Sequence, residues 1–372
     1  MPGPVSKRRS ILARAFVGIV LIASMAAGGA WLMHASIDPA EDVEGQAAPT
    51  RHELLAEMKS WGYQLQRLDV ASTARSPHDL LVIDEAFEGA SSVARRPELL
   101  RALKRKPDGS RRLVLAYLSI GEAEDYRPYW NRKWVEPVPV RAPPRQGADF
   151  PAITTTAHAM PGPAPSPPLA ALRTRPLTAP TGMAPTWLGE ENPSWRGNYR
   201  VRFWDETWQA LMLGNETAAL DRIVGTGFDG VYLDRADVHA SWANDRPTAR
   251  ADMEALIQRI AARARELSPG FIVVMQNAEE LLSSPKLRGS LDAVAKEDLL
   301  FGLEGPEKPN GVADIKASIR HLKKAQRQGL PILVVEYLAG AETVATARQQ
   351  IEANGFVPYF APRALDRLQA QR

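Results

Sequence analysis

Eight short apolar runs, each parted from the next by a stretch long enough for a helix, are what most constrain this chain. They cover Trp61–Gln66, Asp79–Ala86, Arg111–Asp125, Phe228–Asp234, Phe271–Asn277, Leu291–Gly302, Pro331–Tyr337 and Gly355–Pro362. The runs are nearly continuous in Val, Ile, Leu and aromatic residues rather than alternating, as strands covered on both faces are. The stretch "TARADMEALIQRIAARAREL", Thr248–Leu267, repeats its apolar residues with a 3.6 period, so it predicts a helix. A basic helix is expected over Val312–Gln328, and another ends near Ala353. Strands alternating with helices predict a parallel sheet with helices on its faces. The count of eight favours a closed (β/α)8 barrel, a TIM-type α/β fold, over an open doubly wound sheet. The open sheet would need a glycine-rich phosphate turn, and neither GxGxxG nor GxxxxGK[ST] occurs. Pro358 weakens the eighth run, although proline is tolerated near a strand end.

One segment breaks the pattern. Residues 137–186 hold at least twelve prolines with Ser, Thr and Ala, "PGPAPSPP" among them, and no periodicity. Such a composition buries no core, so a disordered or extended surface insertion is expected after the third strand. Residues 51–372 without it number about 270, close to the roughly 250 of such barrels.

The N-terminus adds a second non-globular part. Lys7, Arg8, Arg9 and Arg14 flank or enter an uncharged stretch of 19 residues, Ala15–Met33. This reads as an export signal, with Gly28 and Ala30 as small residues for a signal peptidase. Its helical length, about 28 Å, also suits a retained membrane anchor. Residues 1–35 are therefore taken as signal or anchor, 36–50 as a linker and 51–372 as the barrel. Localisation outside the cytoplasmic membrane follows in either case, secreted or periplasmic, free or tethered.

Charge does not point to nucleic acid. Of the formal net +3, residues 1–35 carry +4 and residues 131–187 carry +4, leaving −5 on the remainder. The excess of base lies in the two least globular segments. The chain has no cysteine, which removes disulfides, thiol nucleophiles and a lipid-modified cysteine. Its six histidines form no HxH or HExxH pattern, and no GxSxG elbow occurs. No metal or cofactor is expected.

Polar residues gather where the runs end. These are Asp84 and Glu85; Tyr117, Ser119 and Glu122; Asp234; Gln276 and Asn277; Glu297 and Asp298; Glu336 and Tyr337; and Tyr359. In a (β/α)8 barrel the carboxyl ends of the strands carry the active site. A single acid at a strand end is an ordinary cap or turn residue, but six acids or amides at one end of different strands predict a polar cleft. Two carboxylates cleave a glycosidic bond without metal or cofactor: one protonates the leaving oxygen, the other attacks or activates water. Trp187, Trp195, Tyr199, Trp204, Trp208 and Trp242 lie near these ends and would offer flat faces to sugar rings or pack in the core.

The stretches "DLLVIDEAFEG", "VLAYLSIGEAEDYRPYW", "WLGEENPSWRGNYRVRFWDETWQ", "GFDGVYLDRAD", "QNAEELL", "KEDLLFG" and "GFVPYFAPRALDRL" occur in this order. Together they resemble a group of barrel glycoside hydrolases related to the endo-α-1,4-polygalactosaminidase (glycoside hydrolase 114) family, over about Trp61–Leu368. The resemblance implies an exported (β/α)8 glycosidase acting on a polysaccharide, with Asp234 and Glu297 as the catalytic carboxylates. It further implies that Asp84, Tyr117, Glu122, Trp204, Gln276, Asn277, Glu336, Tyr337 and Tyr359 line the subsites. A mouth so rich in acids would suit a cationic sugar such as galactosamine. The proline-rich insertion departs from the family pattern. The alternative is a carbohydrate-binding barrel without turnover, serving an envelope or exopolysaccharide system.

Overall fold

The computed structural model describes residues 48–87, 94–138 and 176–369. The leader, most of the linker and residues 139–175 of the insertion lie outside them. Among the described residues no helix is long and apolar enough to cross a membrane.

All eight runs are strands: β1 (Trp61–Gln64), β2 (Leu80–Asp84), β3 (Leu113–Ser119), β4 (Gly230–Asp234), β5 (Ile272–Gln276), β6 (Ala293–Glu297), β7 (Ile332–Glu336) and β8 (Val357–Phe360). They pair in parallel in chain order, β1 to β8, as one eight-stranded sheet. The sheet curls into a nearly closed barrel. Successive side chains of a strand point to opposite faces, and the burial follows that period of two. Trp61, Tyr63, Val82, Leu115, Tyr232, Val274, Ala295, Val335 and Tyr359 fill the barrel. Their chain neighbours, such as Ile83, Val114, Val231, Val273 and Val334, pack outward against helices. The large rings of β1, β4 and β8 face small Ala293 and Ala295 of β6, so large and small side chains share the interior.

The helix Ala249–Leu267 buries Met253, Leu256, Ile257, Ile260 and Ala264, the stripe its period predicts. The helix Ala219–Thr226 stops at Gly227, whose φ of 98° is the left-handed cap that turns the chain into β4.

The barrel is closed by side chains and a tail rather than by a ladder. The Trp61 indole donates to Val357 O (3.0 Å). The C-terminal segment then lies along the gap: Leu365 O accepts from Leu65 N (2.9 Å) and Gln66 N (3.0 Å). Gln64 reaches Asp366 O (3.2 Å), and Gln369 N donates to the Tyr359 hydroxyl (3.2 Å). Pro358 sits on this edge strand, where its missing N–H leaves no gap in a ladder.

Two expectations change. The third run is not one element: its strand ends at Ser119, and Glu122–Glu124 leaves the barrel. It joins Asn198–Val201 and Leu188–Glu191 in an antiparallel three-stranded cap. The ends of the proline-rich segment are ordered too. Thr178–Pro180 pairs with Val135–Pro137, and Val138 N donates to Leu177 O (2.7 Å), a two-stranded antiparallel ladder.

Candidate active site

The inward phase of the strands changes character in its last layer. Below it are apolar side chains and buried rings. At the carboxyl ends the same phase delivers Asp84, Tyr117, Asp234, Gln276, Glu297 and, one residue past β7, Tyr337. The residue after Asp234, Gln276 and Glu297 is left-handed each time: Arg235 (φ 65°), Asn277 (φ 58°) and Asp298 (φ 51°). Such a conformation costs about 1 kcal/mol or more outside glycine. It breaks each strand immediately after its functional side chain.

Asp234 and Glu297 are 0% and 2% exposed. One amide nitrogen joins them: Gln276 Nε2 donates to Asp234 Oδ1 (3.0 Å) and to Glu297 Oε2. The Tyr117 hydroxyl donates to Asp234 Oδ2 (2.8 Å). The Tyr337 hydroxyl donates to Glu297 Oε1. The left-handed turn at Asn277 swings its amide onto the same acid: Asn277 Nδ2 donates to Glu297 Oε2 (3.2 Å), and its Oδ1 accepts from Glu297 N (3.0 Å).

Their neighbours are treated differently. Asp84 is held through two nitrogens of Arg127 (3.0 and 2.8 Å), which also binds Glu124 (2.7 Å). Glu122 pairs with Arg235 (3.0 Å) and accepts from Asn192 (2.9 Å). Asp298 pairs with Arg363 (2.9 Å), whose guanidinium also lies 4.3 Å over the Tyr337 ring. Among the described residues, neither Asp234 nor Glu297 has such an ion pair; their direct partners are neutral donors.

The consequence is electrostatic. Burial raises the Asp234 pKa to about 7; Asp237 adds to the rise, while Arg235 and the Tyr117 hydrogen bond oppose it. Burial raises Glu297 well above the usual carboxyl range, and the nearby charges of Asp234 and Asp298 raise it further. Two close acids cannot both ionise readily, so the pair holds its protons more tightly than separate carboxyls would.

Of the residues singled out in the sequence, Tyr117, Gln276, Asn277 and Tyr337 meet the two carboxylates, and Asp84 stands beside them under Arg127. Others do not join them. Glu336 is on the outward phase, fully buried, and accepts from Leu300 N (2.7 Å), so it holds the loop after β6 instead of facing the mouth. Tyr359 is spent on the seam, with its ring 5.5 Å from that of Trp61. Glu122 stands on the cap. Trp204 packs edge-on to Trp242 on the flank of the cap. Trp187, Trp195, Tyr199, Trp208 and Trp242 are core residues, all under 7% exposed. Sequence reasoning followed the acids and missed Arg127, Arg235 and Arg363. The available signal was an arginine a few residues beyond a strand end, as in "LDRAD" and "FAPR".

The model of glycoside-hydrolase family GH114 matches residues 176–372. An uncharacterised protein of Deinococcus radiodurans is 31% identical over 326 residues, 86% of this chain and 85% of its own. The fold is shared with the glycoside hydrolase domain of PelA from Pseudomonas aeruginosa, at TM-score 0.54 and 18% identity over 84% of this chain and 98% of that one. It is shared equally with Aspergillus fumigatus Ega3 in complex with galactosamine, at TM-score 0.54 and 15% identity over 88% and 100%.

Proposed function

This chain belongs to glycoside-hydrolase family GH114, and from that premise we propose that it cleaves an extracellular polysaccharide with Asp234 and Glu297. The observation that carries the assignment is that, among the described residues, these two mouth acids have no ion pair, where Asp84, Glu122 and Asp298 are held by arginines. An arginine beside an acid compensates its charge, whereas a buried acid held by neutral donors alone lacks that compensation and can give up or take a proton.

Glu297, raised furthest, is the general acid that protonates the leaving oxygen; Asp234 is ionised and attacks the anomeric carbon. The shared Gln276 nitrogen keeps the nearest carboxylate oxygens within two hydrogen-bond lengths, about 6 Å at most. That spacing supports a retaining mechanism through a glycosyl–Asp234 intermediate, with little room for a water between the acids. Glu297 then takes the proton of the water that releases the sugar. Tyr117, Gln276, Asn277 and Tyr337 position the pair. The substrate is an α-1,4-linked galactosamine polymer: the acids Asp84, Asp237 and Asp298 stand near the pair, and Ega3 is seen with galactosamine. Residues 1–35, read as an export leader, support a reaction outside the cytoplasmic membrane.

The experiment measures reducing ends released from deacetylated and acetylated α-1,4-galactosaminan and from neutral glycans. Asp234→Asn and Glu297→Gln should each lower release by about a thousandfold with an unchanged circular dichroism spectrum. Full activity in either folded variant would remove the assignment. No release by the wild type from any polymer would favour a binding barrel.

A further inference from the structure

A second polar groove lies on the flank of the cap, formed by no residue of the carboxylate pair. It has a volume of about 590 Å³, and its lining includes Trp204, Trp242, Arg200, Arg202, Glu190 and Asp245. Trp242 is its buried floor: it is 4% exposed, and its indole N–H is spent on Val201 O (2.9 Å). The Arg200 guanidinium lies 3.9 Å over the Trp242 ring and is tied to Ser241 O (3.1 Å). Arg202 is fixed by Thr186 O (2.5 Å) and Leu188 O (3.3 Å). Trp204 stands edge-on to Trp242 at 5.2 Å. It remains half-buried, and its indole N–H has no partner among the described residues. The Arg246 guanidinium lies 5.0 Å over the Trp204 ring, so the groove offers the rest of that aromatic surface, a free donor and two prearranged guanidinium groups. Its two arginines balance Glu190 and Asp245 in formal charge, unlike the acid mouth.

A short element runs from the carboxylate pair to the groove. The 3-10 helix Ala236–Trp242 begins two residues after Asp234 and ends at the groove floor. Seven residues at about 2 Å each set the two places on the order of 14 Å apart. A single sugar ring does not span that distance, but a polymer does.

We propose that this groove is a distal subsite, binding an uncharged stretch of the same polysaccharide, such as N-acetylated hexosamine units, while another part of the chain lies at Asp234 and Glu297. It rests on the reading of the chain as a polysaccharide hydrolase. A ring stacked on aromatic surface and held by prearranged donors is the chemistry the groove supplies. Its neutrality favours units without a free amine.

The test uses the full chain with Trp204→Ala and Trp204→Tyr, on partly acetylated α-1,4-galactosaminan and on a chromogenic aryl glycoside of galactosamine too short to reach the groove. For Trp204→Ala, kcat/KM on the polymer should fall about tenfold, the equivalent of about 1.4 kcal/mol, mainly through KM. The fall on the aryl glycoside should be far smaller, and Trp204→Tyr should recover most of the loss. Equal falls on both substrates, or no fall on the polymer, would overturn the subsite. Affinity electrophoresis in gels containing the acetylated polymer, in the Glu297→Gln background, reads binding without turnover. Retardation that Trp204→Ala abolishes supports the groove even if no polymer is cut, and an unretarded parent protein overturns it.

Discussion

Gln276 gives one nitrogen to two carboxylates, and the choice of an amide matters. An arginine in its place would hold both acids ionised, and an apolar residue would leave two buried acids repelling each other. The amide bonds both without adding charge, so the pair keeps a mobile proton. Gln276→Leu removes a hydrogen bond to each ionised form, which raises both pKa values. Asp234, now at about 7, would then require a higher pH to ionise. The expected result is a kcat lower by about ten- to a hundredfold, the worth of a hydrogen bond to a charged group. The acid limb of the kcat/KM profile should also move upward from near pH 7. A profile with its limb unmoved in a folded variant would show that Gln276 does not govern the pair.

At the level of elements, the site depends on how strands stop. Left-handed residues end β4, β5 and β6, and the turn after β3 must pass close to the one after β4. Gly121 makes that passage possible: a Cβ there would lie 2.1 Å from Arg235 O and 2.4 Å from Val238 Cγ1. Backbone cannot yield cheaply, so Gly121→Ala should cost about 1–3 kcal/mol in a urea melt. It should also lower kcat, because Arg235 adjoins Asp234. Wild-type stability and turnover would show that the two turns have slack. The eight strands are legible because each is a short, nearly continuous apolar run set off by a helical stretch. So are Asp234, Glu297, Gln276 and Tyr337, since they are simply where the inward phase runs out of apolar residues. The cap strands, three or four residues long, are too short to show any period, so Glu122 was assigned to the barrel. Glu336 was misplaced for a related reason: it ends a run, but on the outward phase. Arg235 and Arg363 stand close past strand ends, but the partner of each arginine is not legible, because pairing joins residues such as Asp84 and Arg127, distant in sequence, which only the folded barrel brings together.

For the whole molecule, the buried acids set how stability responds to pH. Burial raises Asp234 to about 7 and Glu336 to about 8, and raises Glu297 as well. The folded chain thus keeps protons that the unfolded chain sheds near pH 4, so stability falls as pH rises from about 4 through these values. His239 acts in the same direction. Burial opposes its charge, but its bonds to Glu280 and Ala236 O outweigh that and raise its pKa. Its contribution is complete below about pH 6.5 and is lost as pH rises through the folded value. Asp79 and Glu279 act on the other side: burial opposes their charge, but Lys106 and Lys296 outweigh it and hold them low. Their stabilisation disappears only as the pH falls below about 4. Urea melts should therefore show greatest stability near about pH 5 and a decline towards pH 8, a decline that Glu336→Gln makes shallower. Stability rising steadily from pH 5 to 8 would contradict this. Activity, which needs Asp234 ionised, would then lie on the less stable side. The tail-sealed seam carries a consequence in time. β1 waits for Leu365, about 300 residues further along the chain, which at synthesis rates of 5–20 residues per second is roughly 15 to 60 s. Until then the first strand lacks the segment that covers its outer edge, and an uncovered edge is what invites pairing with another chain.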